Sequence, residues 1–174
     1  MAHDPRHDAV LAFVANQRDQ LIRLDAQLRQ LGKPHDVAWA IADFAGRVLM
    51  LDDCVVYLTQ PDGESLLQYA AYGPKRIAER IFENRIRLPF GQGVVGSCAQ
   101  LGVAQRIDDT RADARYVVDD SERLSEIAVP ILDGQRVLGV IDSEHAEADF
   151  FTADHVAALG ALADSAGKRL AALL

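Results

Sequence analysis

Three acids near the end of this chain have the types and spacing to act on one small molecule. Glu126 and Asp142 lie in two apolar runs, Ser125 to Leu132 and Arg136 to Ser143, which Asp133-Gly134 joins, and Glu144 directly follows the second. An Asp-Gly pair between such runs turns a hairpin. Asp142 and Glu144 alternate onto one strand face. Glu126 joins them only with a one-residue shift in register. Gathered carboxylates grip an amine or a hydroxyl, or raise one another's pKa by repulsion. Left apart, the same acids are solvated strand ends or loop caps. His145 follows them, and His145, Asp142 and Glu144 could ligate a metal. Metal sites need partners at set spacing, however, and no HxxxH, CxxC or HExxH pattern occurs. No metal is expected.

A second candidate is Gly91-Gln92-Gly93-Val94-Val95-Gly96, which has the GxGxxG spacing. No βαβ unit surrounds it, so a dinucleotide loop is not implied. Glycine at a helix start permits positive φ and close backbone approach, and free N–H donors there can hold an anion. Further on, Arg106, Asp108, Asp109, Thr110, Arg111, Asp113 and Arg115 form a charged loop that also contains Tyr116. Such loops are usually solvated surface, yet loops that cover pockets carry binding residues. Tyr116, Arg106 and Asp108 are the expected contacts from it. Cys98 lies several residues into the helix after the glycine turn, so a buried thiol is favoured over a reactive one. No GxSxG or comparable nucleophile context is present, and no catalytic residue is assigned.

The elements that must position these residues follow from periodicity. Val10, Val14, Gln17, Leu21, Leu24, Leu28 and Leu31 step by fours and threes along a first helix. Gly32 and Pro34 stop it. Such a seam either makes a dimer coiled coil or packs on its own domain. The division is therefore 1–33, an N-terminal dimerisation helix, and 34–174, the main domain. A second helix starts at Pro34 and carries Val37, Ile41, Phe44, Ala45 and Val48 on one face, with Trp39 expected in the core. Asp53 to Thr59 and Ser65 to Tyr72 read as a hairpin around Pro61-Asp62-Gly63. Lys75 to Phe82 reads as a short helix, Arg85 to Leu88 as a strand, and Gly93 to about Gln100 as a helix. Val103 to Ile107 reads as a strand. A final helix from Thr152 or Asp154 carries Val156, Leu159, Ala163, Ala166, Leu170 and Leu173.

In the last hairpin Ile127, Val129, Leu138 and Val140 are expected on one face. Ala128, Pro130, Val137, Gly139 and Ile141 are expected on the other. A strand pair apolar on both faces is central and covered twice. The fold class is α+β: a central antiparallel sheet, terminal helices on one face, and loops and short helices over a pocket on the other.

Composition narrows the function. The chain has 174 residues, 49% apolar and 25% charged, with a net charge of −8. That suits one globular domain. The acidic balance argues against nucleic acid and anionic membrane as partners. No run of about 18 apolar residues could span a bilayer. The polar N-terminus lacks a signal peptide's apolar core, so a cytoplasmic setting is expected. Two cysteines cannot make a disulfide scaffold.

Three pieces together resemble GAF domains, the small-molecule sensor modules. They are Leu88-Pro89-Phe90-Gly91-Gln92-Gly93-Val94-Val95-Gly96, then Ser125-Glu126-Ile127-Ala128-Val129-Pro130-Ile131, then Leu138 to His145 followed by Phe150-Phe151-Thr152-Ala153-Asp154-His155. The resemblance implies a sensory or regulatory domain acting in signal transduction, dimeric through its helices, with a small polar ligand and a separate signalling protein as partners. No output domain is expected in the chain, and the cofactor is left unknown. One branch of the family, the free methionine-(R)-sulfoxide reductases, is distantly similar. Glu126, Asp142 and Glu144 fall where that branch has substrate-binding acids. Its thiols are missing: Arg85 and Val95 stand at two of the places, and the segment around Val117-Val118-Asp119 lacks the third. The expectation is a non-enzymatic sensor. A reductase with unusual residues, or a ligand-free interaction module, is the alternative.

Overall fold

The computed structural model describes residues 5–119 and 121–174, with side chains from residue 15 onward. In chain order the elements are α1 (Pro5–Leu28), α2 (Pro34–Arg47), β1 (Cys54–Thr59), β2 (Ser65–Tyr72), β3 (Arg76–Ala78), β4 (Ile81–Phe82), β5 (Arg87–Pro89), α3 (Gly93–Leu101), β6 (Gln105–Ile107), β7 (Ser125–Asp133), β8 (Arg136–His145) and α4 (Ala153–Leu170). Six strands form one antiparallel sheet in the order β5-β2-β1-β8-β7-β6. Strands β1 and β8 lie at its centre, with β2 and β7 beside them. Fold class and architecture are therefore as the sequence implied.

Each face of the sheet has its own core. Helices α1, α2 and α4 cover one face, where Trp39, Ile41, Leu58, Ile127, Ile131, Leu138, Ile141 and Leu162 are buried together. The Trp39 indole N–H donates to His35 Nε2 at 3.0 Å, which satisfies its polar edge. On the opposite face α3 lies across β7 and β8, and Val55, Tyr57, Leu66, Val94, Val95, Cys98 and Val140 are buried with it.

Two expectations are corrected. Lys75 to Phe82 is not a helix; β3 and β4 pair there as a small hairpin. Arg80 turns it with φ of 53°, a conformation no helix holds. The Lys75 side chain is also drawn inward, to the Asp119 carboxylate. The second correction concerns the last hairpin. Leu132 faces Val137 and Asp133 faces Arg136, the register of the tight turn. Beyond Leu138 the pairing slips by one, so Ile131 faces Gly139 and Val129 faces Ile141. Val140 therefore shares the α3 side with Ala128, and Ile141 joins Val129 on the helical side. Leu138, the bulged residue, stays on the helical side.

The terminal seams are occupied within the domain. Leu24 and Leu28 are 5% and 1% exposed and belong to the core that α2 and α4 build. Val10 and Val14 of the same seam lie outside the described side chains. In α4, Leu159, Ala163, Ala166 and Leu170 are likewise buried. Leu24→Glu should accordingly lower the unfolding free energy by about 3 kcal/mol or more, because it buries a charge and removes an apolar side chain. Chemical denaturation at fixed protein concentration measures this; an unchanged midpoint would place Leu24 outside the core.

Candidate functional site

The bulge at Leu138 is what assembles the acids. With the register shifted, Glu126 faces Glu144 directly and Ala128 faces Asp142. Directly opposed residues share a face, so all three carboxylates project to the α3 side. They line a cavity of about 20 Å³ with Tyr57, Ile86, Leu88, Gly93, Val94, Val95, Val117 and Asp119. Its floor is β1, β7 and β8, its wall is the start of α3, and Val117 and Asp119 belong to the loop above. A space of this size takes one water-sized group.

The acids are buried and poorly compensated. Glu126, Asp142 and Glu144 are 4%, 5% and 7% exposed. Burial, then the charges of Glu126, Glu144 and Asp53, pushes the Asp142 carboxyl well above the carboxylate range. A hydrogen bond between the two carboxyls favours the proton on Asp142 over one on Glu126. Burial lifts Glu126 to about 7, against that hydrogen bond, and lifts Glu144 to about 8, with the charges of Glu126 and Asp53 adding. Glu126 Oε2 and Asp142 Oδ1 are fully buried and accept no hydrogen bond among the described residues. Unmet acceptors of this kind cost free energy, and both residues line the cavity.

The opposite wall offers donors. Gln92 gives α3 no side-chain cap. The N–H groups of Gly93, Val94 and Val95 form the first helical turn, where no intrahelical acceptor exists. Gly93 has φ of 71°, and a Cβ there would come within 3.3 Å of Val117, so glycine lets the loop close over the helix start. Tyr57, 3% exposed, accepts from Gln68 Nε2 at 2.8 Å. Its own O–H remains available as a donor.

The remaining sequence candidates separate. The Tyr116 hydroxyl accepts from the Arg123 N–H at 2.9 Å and donates to Glu144, so it touches the site through that acid. Arg106 and Asp108 are not brought to the cavity. They pair with each other at 3.1 Å on exposed surface, because Arg106 faces Ile127 and projects to the other side of the sheet. His145 stacks on Phe150 and lies 3.3 Å from Asp52. No group of three His, Cys, Asp or Glu among the described residues is placed to hold a metal. Cys98 is buried on the α3 side, where burial and the charges of Asp142 and Glu126 push its thiol far up. Cys54 is buried on the helical side, also with a raised thiol. Asp53, Gln68, Lys75 and Asp119 were not singled out from the sequence. Asp53 Oδ1 accepts from the Glu144 N–H at 3.3 Å, and its carbonyl from Ser143 Oγ at 2.6 Å.

A family model described as a GAF domain matches residues 33–171. The chain belongs to the GAF family. This GAF domain is 37% identical over 57 residues to Protein YtsP of Bacillus subtilis, an alignment covering 33% of this chain and 35% of that protein. It is 32% identical over 57 residues to the free methionine-R-sulfoxide reductase of Escherichia coli, covering 33% and 34%. The matched segment thus spans about a third of either relative's length. In three dimensions it resembles the free methionine-R-sulfoxide reductase of Neisseria meningitidis solved with its substrate. The TM-score is 0.77 at 23% identity, over 99% of this chain and 94% of that one. It also resembles the GAF domain of an Acinetobacter phosphoenolpyruvate-protein phosphotransferase, with a TM-score of 0.76 at 19% identity, over 90% and 93%. A reductase and the GAF domain of a phosphotransferase thus share the fold. No helix among the described residues is long and apolar enough to cross a membrane.

Proposed function

We propose that this GAF domain is a sensory module that binds a small zwitterionic molecule without turning it over. The observation that carries this is the pair of buried, unmatched oxygens, Glu126 Oε2 and Asp142 Oδ1, on two residues that line the cavity. A guest's ammonium group would satisfy them, and the first-turn amides of α3 suit its anionic group. Free amino acids of the kind for which the Escherichia coli and Neisseria relatives are named have this charge pattern. Thiol chemistry is disfavoured because neither cysteine lines the cavity and both thiols are held protonated. The cavity as folded is smaller than such a guest, so binding must displace the loop around Val117. The signal follows from the guest's preference for one of two loop positions. A dimer and a separate partner protein are part of this proposal.

Asp142→Ala should weaken binding by at least tenfold while the domain stays folded, since it removes a charge-assisted contact worth about 1.5–3 kcal/mol. Isothermal titration with free methionine sulfoxide as probe reads this. Equal affinity for wild type and variant would remove Asp142 from the site. Steady consumption of the probe with added thiol would instead establish the reductase reading.

A further inference from the structure

One buried side chain ties the cavity's cover to its floor. Gln68 in β2 is 0% exposed. Its Nε2 donates at 2.8 Å both to Tyr57 Oη and to Asp119 Oδ2, and its Oε1 accepts from the Ile86 N–H at 3.0 Å. Tyr57, Ile86 and Asp119 all line the cavity, and they come from β1, the segment before β5 and the covering loop. A single amide therefore holds three walls. The same Asp119 oxygen also accepts from Lys75 Nζ. That pair is nearly dry: the Lys75 side chain is 4% exposed and that of Asp119 14%. The Phe82 ring lies 6.0 Å from the ammonium.

The chemistry of the pair differs from that of the loop's other ion pairs. Asp109 with Arg111 and Asp113 with Arg115 bridge residues two apart, and both arginines are exposed. As ion pairs they tie the loop only to itself and contribute little; its one further tie from these residues is an exposed bond from Arg115 to Gln105 in β6. Lys75 and Asp119 are 44 residues apart in sequence and join the start of the β3–β4 hairpin to the covering loop. Breaking a buried pair by deleting one partner is far costlier than never burying it, because the other charge is stranded. Such a pair is a two-position device: closed and dry, or open with both charges hydrated.

We infer that the Lys75–Asp119 pair, seated on Gln68, is the latch that keeps residues 113–119 closed over the acid cavity, and that its opening admits the guest. Lys75 and Gln68 are positioning residues here; they act through Asp119 and need not touch the guest. The inference concerns access and stands whether the guest is a zwitterion or another small molecule.

The test uses the whole chain without ligand and reads amide hydrogen exchange by peptide. Lys75→Met should speed exchange in residues 113–119 by about tenfold or more, with β7 and β8 unchanged. The double variant Lys75→Met with Asp119→Asn should recover most of the protection. The stranded charge is then gone, and the amide oxygen introduced at position 119 still accepts from Gln68. Should Lys75→Met fail to fold, Asp119→Asn alone should give the same local loss, since it strands Lys75. Unchanged exchange in 113–119 would overturn the latch. Faster exchange spread evenly through β7 and β8 would also overturn it, by showing a pair that supports the fold and not the cover.

Discussion

Raising the pH from about 5 to about 8.5 should destabilise the ligand-free domain by several kcal/mol, and Asp142→Asn should remove a large part of that loss. The sign follows from the direction of the shifts. Glu126 and Glu144 titrate in the folded domain at about 7 and about 8, above the ordinary 4.5, and Asp142 is raised too. Between the unfolded and folded values the native state holds protons that the unfolded chain has lost. Stability is then fully present below about pH 4.5 and falls as pH rises through 7 and 8, by about 1.4 kcal/mol per pH unit for each proton retained. An asparagine side chain at position 142 is a neutral stand-in for the protonated acid. It still donates to Glu126, and it cannot be forced to ionise. The variant should therefore gain stability over wild type as pH rises while losing affinity for a cationic group. Urea denaturation midpoints across the pH range measure both curves. A wild-type stability that rises from pH 5 to 8 would mean that the acids are ionised and satisfied in the fold.

The second large effect is expected from Gly139→Ala. Gly139 faces Leu58 in β1 and Ile131 in β7, at the centre of the sheet. An added Cβ would run into the Tyr57 carbonyl oxygen of the neighbouring strand. The obstacle is backbone, which cannot rotate away, so β1 and β8 must part. Overpacking of this kind costs about 3 kcal/mol or more. The damage also reaches the site, because Gly139 follows the bulge at Leu138 that puts Glu126 opposite Glu144. Gly139→Ala should lower the denaturation midpoint and flatten the pH dependence together, as the acids lose their shared enclosure. A variant as stable as wild type, with the same pH profile, would show that the strands have slack there and that the bulge does not set the cluster.

The sequence made the β1–β2 and β7–β8 hairpins, the Gly91–Gly93 turn and the three acids legible, because local chemistry decides each. An Asp-Gly turn needs only its own backbone, and alternation along β8 places Asp142 with Glu144. What it left open was decided at a distance. The one-residue slip that brings in Glu126 comes from a bulge, and only Gly139 hints at it. Lys75 and Asp119 read separately as surface charges, since their pairing depends on the β3–β4 hairpin, which the apolar spacing of Ile77, Ile81 and Phe82 disguises as a helix. Gln68 looks like any polar residue in a strand until Tyr57 and Asp119 converge on it. Arg106 and Asp108 show the opposite case: a dense charged loop invites a binding role, and the strand's alternation turns Arg106 away. The leucine steps of α1 and α4 fit a dimer seam and an internal core equally well, and the described part is used for the core.

The most direct test of the acid cavity as a ligand site is native mass spectrometry of gently desalted protein, with wild type and Asp142→Ala prepared alike. Wild type should retain a discrete added mass in stoichiometric amount, and Asp142→Ala should lose it. The same added mass at the same occupancy in both, or none in either at saturating free methionine sulfoxide, would contradict a guest held by these acids.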